Sequence, residues 1–206
     1  AQKIPSDITL GFDKTSLRES FSAKFYSQTY KMDYAANIVE RNVALVSHAL
    51  KLSINQEDIS NKKPILYPSK KYVFNDINYE KQNIAIVPGA SFQSKCYPVE
   101  KFAEFTTKLD ANFFVIWGSK AEKVMADDIK TLSPNVQVMQ KLSLDALKSL
   151  ISQMNLVIGS DTGPTHMAWA LNVPSITLFG PTPGYRNTYI TSINKIIESD
   201  SEVDPK

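Results

Sequence analysis

Cysteine and glycine are both scarce in this chain of 206 residues. Cys96 is the one cysteine, so an internal disulfide is excluded and a reducing compartment suits the composition. The seven glycines stand at positions 11, 89, 118, 159, 163, 180 and 184. This spacing yields neither the G-x-G-x-x-G fingerprint of dinucleotide-binding dehydrogenases nor the P-loop of Walker-type ATPases. Both of these classes therefore lose their main support.

Strong charge, long apolar runs and several catalytic motifs are also missing. The formal net charge of +2 is too small to indicate a nucleic-acid partner, and the lysines at 62–63 and 70–71 are expected to form a solvated loop. No run has the length of a transmembrane helix, and no signal peptide is visible. Without an H-E-x-x-H motif or an acidic triad, no obligatory protein-held metal is expected. The segment 159–163 has no nucleophile at the centre of a G-x-S-x-G elbow, which leaves hydrolase chemistry without a candidate serine.

Apolar runs and helical patterns alternate through the second half of the chain. Strands are predicted at 84–87, 113–117, 136–139, 156–159 and 175–179, with a helix after each of the first four. Such alternation indicates an α/β fold with a parallel sheet and helices on both faces. Ligands in these folds bind beyond the carboxyl ends of the strands. Upstream, a strand is predicted at 8–12, helices at 17–26 and 35–52, and a linker at 55–82 with an extended piece at 65–67.

The polar turn from Gly159 to His166 is the most informative stretch of the sequence. It follows an apolar run and opens a helix with Pro164 in its first turn. Thr162, Gly163 and the first-turn amides therefore lie at a helix N-terminus, where unpaired N–H groups favour phosphate. The glycine allows a ligand to approach the backbone closely. The alternative is that Asp161 or Thr162 only caps the helix.

Five motifs in a fixed order resemble the lipopolysaccharide heptosyltransferases of glycosyltransferase family 9, which have the GT-B fold. The resemblance is to their C-terminal, donor-binding half and covers nearly the whole chain. The motifs are Val87-Pro88-Gly89-Ala90-Ser91 with Lys95 and Tyr97-Pro98, Trp117-Gly118 with Glu122, Lys141-Leu142-Ser143, Asp161-Thr162-Gly163 with His166, and Leu178-Phe179-Gly180-Pro181-Thr182. The segments 11–13, 18–19, 25–26 and 39–41 resemble the part that joins the two halves in the heptosyltransferase I branch. One departure is Ala90-Ser91, which stands where that branch usually has two threonines.

The resemblance implies which residues bind a nucleotide sugar. Lys95 and Asp161 are the expected catalytic residues, one facing the phosphates and the other the sugar. The expected donor-binding residues are Ser91, Lys95, Glu122, Leu142, Asp161, Thr162, Gly163 and His166. Among them, Glu122 is expected to hold ribose hydroxyls, Leu142 to contact adenine through its backbone, and His166 to reach phosphate or brace Asp161.

Each of these residues also has a structural interpretation. Lys95 is alternatively a surface lysine, and Glu122 a charge on the first turn of a helix. Leu142 is alternatively a core side chain. His166 is alternatively a satisfied structural histidine, which is the interpretation adopted for His48 on the linking helix.

The implied activity is inverting transfer of L-glycero-D-manno-heptose from ADP-heptose to the Kdo-lipid A inner core. No cofactor is implied besides this donor substrate, and no base is assigned, because the family's base lies in a region that precedes this chain. The resemblance places the protein in the cytoplasm at the inner face of the inner membrane, with peripheral membrane contact by the full-length protein. Two alternatives remain: a nucleotide-sugar binding module without turnover, and a GT-B nucleotide-sugar epimerase.

The resemblance also implies a domain organisation. Residues 1–37 are expected to be the remnant of an N-terminal acceptor domain, 38–82 a linking helix and linker, and 83–206 the Rossmann-like donor-binding domain. The chain begins at Ala1 without a methionine and is expected to be a fragment that is inactive alone. Its 206 residues, 43% of them hydrophobic, are enough for one complete α/β domain but few for two.

Overall fold

The computed structural model describes residues 5–199, which belong to two compact units divided between residues 62 and 63. In the first unit, two strands pair in parallel and two helices follow them. These elements are β1 (Leu10–Phe12), a 3-10 helix (Ser20–Phe25), β2 (Gln28–Tyr30), α1 (Ile38–Leu50) and α2 (Gln56–Ser60). The buried guanidinium of Arg41 holds this unit together, because it donates to the Ser16 carbonyl at 2.5 Å and stacks over the Phe12 ring at 4.4 Å.

The second unit is built on a six-stranded parallel sheet with the order β5-β4-β3-β6-β7-β8. Its strands are β3 (Asn83–Val87), β4 (Asn112–Val115), β5 (Val136–Val138), β6 (Leu156–Ser160), β7 (Ser175–Phe179) and β8 (Asn194–Glu198). Its helices are α3 (Val99–Thr107), α4 (Lys120–Leu132), α5 (Leu144–Ile151), α6 (Gly163–Leu171) and α7 (Gly184–Asn187). A 3-10 turn (Gln93–Lys95) precedes α3. The predicted α/β fold with a parallel sheet is confirmed.

The two faces of the sheet carry separate hydrophobic cores. Along β3, Ala85 and Val87 belong to the core under α5 and α6, whereas Ile84 and Ile86 belong to the core under α3 and α4. This is the two-residue period of a strand that is buried on both sides, and it explains the continuous apolar run. After β3 the chain crosses to the face of the sheet that α3 covers, and after β6 it crosses to the opposite face, which α6 covers. The sheet therefore has a switch point between these two neighbouring strands, where such folds bind ligands.

Residues 63–75 form an extended segment, named here the strap, that lies along α5 and reaches α6. The Ile65 amide donates to the Ala170 carbonyl at 2.9 Å, and the Tyr72 amide donates to the Ser149 hydroxyl at 2.9 Å. Within the strap, the side chains of Leu66 and Phe74 pack against the core under α5 and α6. The strap is therefore a fixed part of the second unit.

The predicted linker and domain boundaries differ from this arrangement. The expected linker 38–82 is divided by the boundary at residue 62, since its first part contains α1 and α2 and its last part is the strap. The extended piece predicted at 65–67 is extended in the structure, where the Ile65 amide donates to the Ala170 carbonyl of α6. The predicted helix at 17–26 is the shorter 3-10 helix Ser20–Phe25. The identity of the first segment as an acceptor-domain remnant stays a prediction.

Candidate functional site

The loops at the switch point are joined by a buried serine at the end of β6. The Ser160 hydroxyl donates to the Pro88 carbonyl at 3.3 Å and accepts from the Tyr97 amide at 3.4 Å. Its carbonyl accepts from the Thr165 hydroxyl at 3.0 Å, which ties it to the first turn of α6. Ser160 thereby positions the loop after β3 against the turn that carries Asp161. No sequence pattern predicts this role, since a serine at the end of an apolar run is common in many contexts.

Asp161 is shared between two basic side chains. Its Oδ2 accepts from Lys95 Nζ at 2.8 Å, and its Oδ1 lies 3.0 Å from His166 Nε2. The carboxylate is 10% exposed and the lysine 20%, so this ion pair is largely shielded from water. Burial raises the pKa of Asp161, but the hydrogen bonds from His166 and Lys95 outweigh burial and hold the pKa below its ordinary value of 3.8. Three of the predicted site residues are therefore in direct contact.

The N-terminus of α6 has open space above its glycine. Thr162 is the N-cap, and its amide donates to the Thr165 hydroxyl at 3.3 Å. The first turn of a helix leaves amides without intrahelical partners, and here that turn begins at Gly163. A Cβ atom added at Gly163 would meet no heavy atom within 4 Å, and its φ is not positive. Neither packing nor backbone conformation requires this glycine, and the space above it is open to solvent; its contact with a ligand stays a prediction.

A cavity of about 300 Å³ lies beside Thr162 at the carboxyl ends of β3, β4 and β5. Its walls are mostly apolar, with Glu122, Lys141 and Thr162 as the polar residues. They comprise Val87, Ile116, Trp117, Gly118, Glu122, Lys141, Leu142, Leu144, Leu147, Thr162 and Pro164. The Trp117 indole fixes one wall, because its Nε1 donates to the Met139 carbonyl at 2.6 Å. The cavity therefore suits a flat apolar ring that carries a hydroxylated group.

Glu122 lies at this cavity and also caps a helix. Its Oε2 accepts from the amides of Gly118 at 2.6 Å and Ser119 at 2.8 Å, and the Ser119 hydroxyl accepts from the Glu122 amide at 3.2 Å. This capping box begins α4. A Cβ at Gly89 would lie 2.3 Å from Glu122 Cγ, so the glycine makes room for the carboxylate. Glu122 therefore caps a helix, as its structural interpretation expected. A contact between its Oε1 and a ribose stays a prediction.

The structure places the remaining predicted residues less centrally. Leu142 lines the cavity, and its half-buried side chain also packs against the core under α5 and α6. Ser91 is exposed in the loop after β3, four residues before Lys95. One cavity is therefore lined by Glu122, Leu142 and Thr162. A separate cluster is formed by Lys95, Asp161 and His166, and Ser91 lies in the loop that leads to Lys95.

A second cavity of about 320 Å³ borders Lys95 on the side of β7 and β8. Leu178, Phe179 and Gly180 line it, which accounts for part of the last motif. Among residues 5–199, no three His, Cys, Asp or Glu side chains are grouped so that they would hold a metal ion. Within the same range, no helix has both the length and the apolar character needed to cross a membrane.

The profile of glycosyltransferase family 9 (heptosyltransferase) matches residues 1–206 of the chain. The chain belongs to this family. It is 36% identical to lipopolysaccharide heptosyltransferase 1 of Campylobacter coli, over 98% of the chain and 63% of that relative. It is 27% identical to lipopolysaccharide heptosyltransferase 1 of Pseudomonas aeruginosa, over 87% of the chain and 50% of that relative. This family 9 member thus spans between half and two thirds of the length of these two relatives.

Solved structures share the fold of this family 9 member. The E. coli heptosyltransferase WaaC with ADP superimposes with a TM-score of 0.74 at 21% identity, over 93% of this chain and 59% of that one. The same enzyme with ADP-2-deoxy-2-fluoro heptose gives a TM-score of 0.70, over 92% of this chain and 58% of that one. A family 9 glycosyltransferase from Veillonella parvula gives 0.70 at 17% identity, over 97% and 58%. The resemblance found in the motifs is confirmed at the level of family and fold.

Proposed function

We propose that this chain is the donor-binding part of a heptosyltransferase that uses ADP-heptose. One observation carries the proposal. The cavity beside Thr162 leads to the open N-terminus of α6, and the Lys95–Asp161 ion pair adjoins that terminus, because Asp161 directly precedes Thr162 in the chain. Family membership and the relatives' names support this choice of sugar. The titles of two structures with the same fold, which contain ADP and an ADP-heptose analogue, support the choice of nucleotide.

In the proposed pose, the nucleotide end of the donor lies in the cavity and the heptose end lies near Asp161. Its adenine enters the cavity next to the Leu142 backbone and the Trp117 ring, and its ribose hydroxyls donate to Glu122 Oε1. The diphosphate then lies over Gly163, where the amides and the dipole of α6 favour negative charge. The heptose extends toward Asp161, which is next in the chain to the N-cap of α6. This pose uses Glu122, Leu142, Gly163 and Asp161 in the roles predicted for them.

The proposed reaction is a single displacement with inversion. The acceptor oxygen bonds to the anomeric carbon as the bond from that carbon to the β-phosphate oxygen breaks, so ADP leaves with the electron pair. Negative charge therefore grows on the β-phosphate, and preorganised donors that meet it contribute about 3 to 4 kcal/mol each. The donors in this chain are Lys95, the first-turn amides of α6 and the Ser91 hydroxyl. No residue of this chain is assigned as the base that takes the proton of the acceptor hydroxyl.

Lys95 is held ready for this task by Asp161. The ion pair orients the ammonium group in a site that is largely shielded from water. An arriving diphosphate introduces a second anion near the same ammonium group, which has three donors to share. Oδ1, which contacts His166, and Oδ2, which contacts Lys95, each keep a lone pair that can accept from a sugar hydroxyl. The proposal therefore gives Asp161 two functions, positioning Lys95 and holding the heptose.

The proposed acceptor is Kdo-lipid A, in agreement with the names of the lipopolysaccharide heptosyltransferases among the relatives. Such an acceptor is anchored in a membrane. The proposed place of reaction is accordingly the cytoplasmic face of the inner membrane, with peripheral membrane contact by the full-length protein.

Assays of the full-length protein with Kdo-lipid A test this proposal. We expect transfer from ADP-heptose, negligible transfer from UDP-sugars, and an anomeric configuration of the product opposite to that of the donor, measured by NMR. Transfer from a UDP-sugar would contradict the donor assignment. Interconversion of a nucleotide sugar without an acceptor would support the epimerase, and donor binding without transfer would support a binding module.

A further inference from the structure

The outer face of the strap exposes apolar and basic side chains together. Burial alternates along residues 63–68, as in a strand, so one row of side chains faces the core and the other faces outward. Ile65 and Tyr67 are each 62% exposed, and Val73, further along, is 84% exposed. Exposed apolar side chains are ordinary when they are scattered, but a group of them on one segment is typical of a surface that contacts something apolar.

The charge of the strap has one sign. Residues 63–75 include Lys63, Lys70 and Lys71, all exposed, and contain no aspartate or glutamate. The acidic side chain that contacts the strap is Asp145, and it is already engaged by the Ser69 amide at 2.8 Å and by Lys148 at 2.8 Å. Two exposed acids, Asp76 and Glu80, follow the strap in sequence. The strap itself therefore presents three positive charges beside its apolar side chains.

The strap is also held rigidly enough to present this face. Lys148 Nζ donates to the Tyr67 carbonyl at 2.8 Å, and the Gln153 side chain donates to the Tyr72 carbonyl at 3.2 Å. With the bonds to Ala170 and Ser149, these contacts anchor the strap to two helices. The expected solvated loop is thus an ordered surface element, and its exposed apolar residues are not the result of a frayed segment.

We propose that the outer face of the strap binds the surface of an anionic bilayer. Lysines there meet phosphate headgroups, tyrosine lies at the polar boundary, and Ile65 and Val73 enter the outer part of the acyl region. A nucleic acid would use the lysines but would leave the aliphatic side chains in water. The proposal goes beyond donor binding, and the proposed function only supplies a reason for the protein to work at a membrane.

Vesicle sedimentation of the purified chain tests the proposal. We expect binding to vesicles with about one third phosphatidylglycerol in phosphatidylcholine, weak binding to pure phosphatidylcholine, and loss of binding as salt shortens the Debye length. Each lysine near an anionic surface contributes about fivefold in affinity, so Lys63→Gln, Lys70→Gln and Lys71→Gln together should weaken binding about 100-fold. Val73→Ser with Ile65→Ser should weaken it at least about threefold through lost apolar burial.

The matched control is the pair Lys120→Gln and Lys195→Gln, two exposed lysines of the same unit outside the strap. The control pair should bind vesicles with nearly the affinity of the parent, whereas the double variant Lys70→Gln with Lys71→Gln should bind them much more weakly. Circular dichroism and ADP titration on every variant separate this surface from folding and from the donor site. Equal losses in the control pair and the strap pair would overturn the proposal. So would absence of vesicle binding, or self-association that the Val73→Ser and Ile65→Ser variant abolishes, which would indicate a protein contact instead.

Discussion

At the scale of single residues, two glycines of the site turn have different reasons to lack a side chain. Gly159 and Gly163 are four residues apart but have opposite surroundings. A Cβ at Gly159 would lie 2.4 Å from the Val87 carbonyl oxygen, so close strand packing requires that glycine. A Cβ at Gly163 would meet nothing within 4 Å. Replacing each glycine by alanine therefore separates packing from ligand access.

Gly163→Ala should leave the protein folded and weaken ADP binding at least tenfold, because the new methyl group occupies the space proposed for the diphosphate. Its unfolding free energy should stay equal or rise by up to about 1 kcal/mol, since alanine favours the helical state. Gly159→Ala, the control, should lose about 1 to 3 kcal/mol of stability through overpacking. Calorimetric titration and denaturant unfolding measure both quantities. Unchanged ADP affinity in a folded Gly163→Ala protein would remove the phosphate from this helix terminus.

Lys95 and Asp161 are paired, yet their substitutions should affect different parts of the donor. Lys95→Ala removes a charged partner of phosphate and should weaken ADP binding by about 1.5 to 3 kcal/mol. Asp161→Asn keeps an amide oxygen that can accept from Lys95, so it should weaken ADP binding much less than Lys95→Ala does, but it should reduce the affinity for intact ADP-heptose or an unreactive analogue. Titrations with ADP and with the analogue compare the two variants, with Lys195→Ala as the control. A folded Asp161→Asn protein that loses both ligands equally would make Asp161 a scaffold of the turn.

The lowered pKa of Asp161 predicts how stability depends on pH. Burial alone would raise this pKa, but the bonds from His166 and Lys95 lower it below 3.8, so the folded state favours the ionised carboxylate. Its contribution is therefore fully present above about pH 4 and is lost as the pH falls through the lower folded value. The stability difference between the parent and Asp161→Asn should shrink as the pH falls below about 4. A difference that grows as the pH falls below about 4 would contradict the assigned direction.

At the scale of elements, the sequence was informative where a strand is buried on both faces. The apolar runs predict β3, β4, β5, β6 and β7 to within about two residues, because continuous burial requires continuous apolar side chains. They do not reveal β8, where Lys195, Ile197 and Glu198 are exposed at the sheet edge. α2 and the strap fall in the predicted linker because their stability comes from caps and tertiary bonds. The site residues were found through motifs, but the Lys95–Asp161 pair joins side chains 66 positions apart and needs the folded sheet.

The capping box of α4 leaves two roles for Glu122 that an experiment can separate. Glu122→Ala should cost about 1 kcal/mol of stability, because the carboxylate bonds two backbone amides at a helix N-terminus. If Oε1 also accepts from the ribose, 2′-deoxy-ADP should bind the parent about tenfold more weakly than ADP. The alanine variant should bind both nucleotides alike. Equal binding of ADP and 2′-deoxy-ADP by the parent would leave Glu122 as a helix cap alone.

At the scale of the whole molecule, the second unit combines three features at one edge of its sheet. We propose that the cavity lined by Trp117 and Leu142 takes the base, the N-terminus of α6 the phosphates and the Asp161 cluster the sugar. Their order matches the chemical order of a nucleoside diphosphate sugar. Membership of family 9 gives this order a known context, since the relatives are named as heptosyltransferases.

Calorimetric titration of the purified chain with ADP and with UDP tests the central claim most directly. The cavity beside the Trp117 ring and the Leu142 backbone is proposed to select adenine over uracil, so ADP should bind and UDP should bind at least tenfold more weakly. ADP binding should also release the same heat per mole when the Lys120→Gln and Lys195→Gln control pair replaces the parent. Equal affinity for ADP and UDP, or no binding of either nucleotide by the folded chain, would contradict the assignment of this unit as an ADP-heptose donor site.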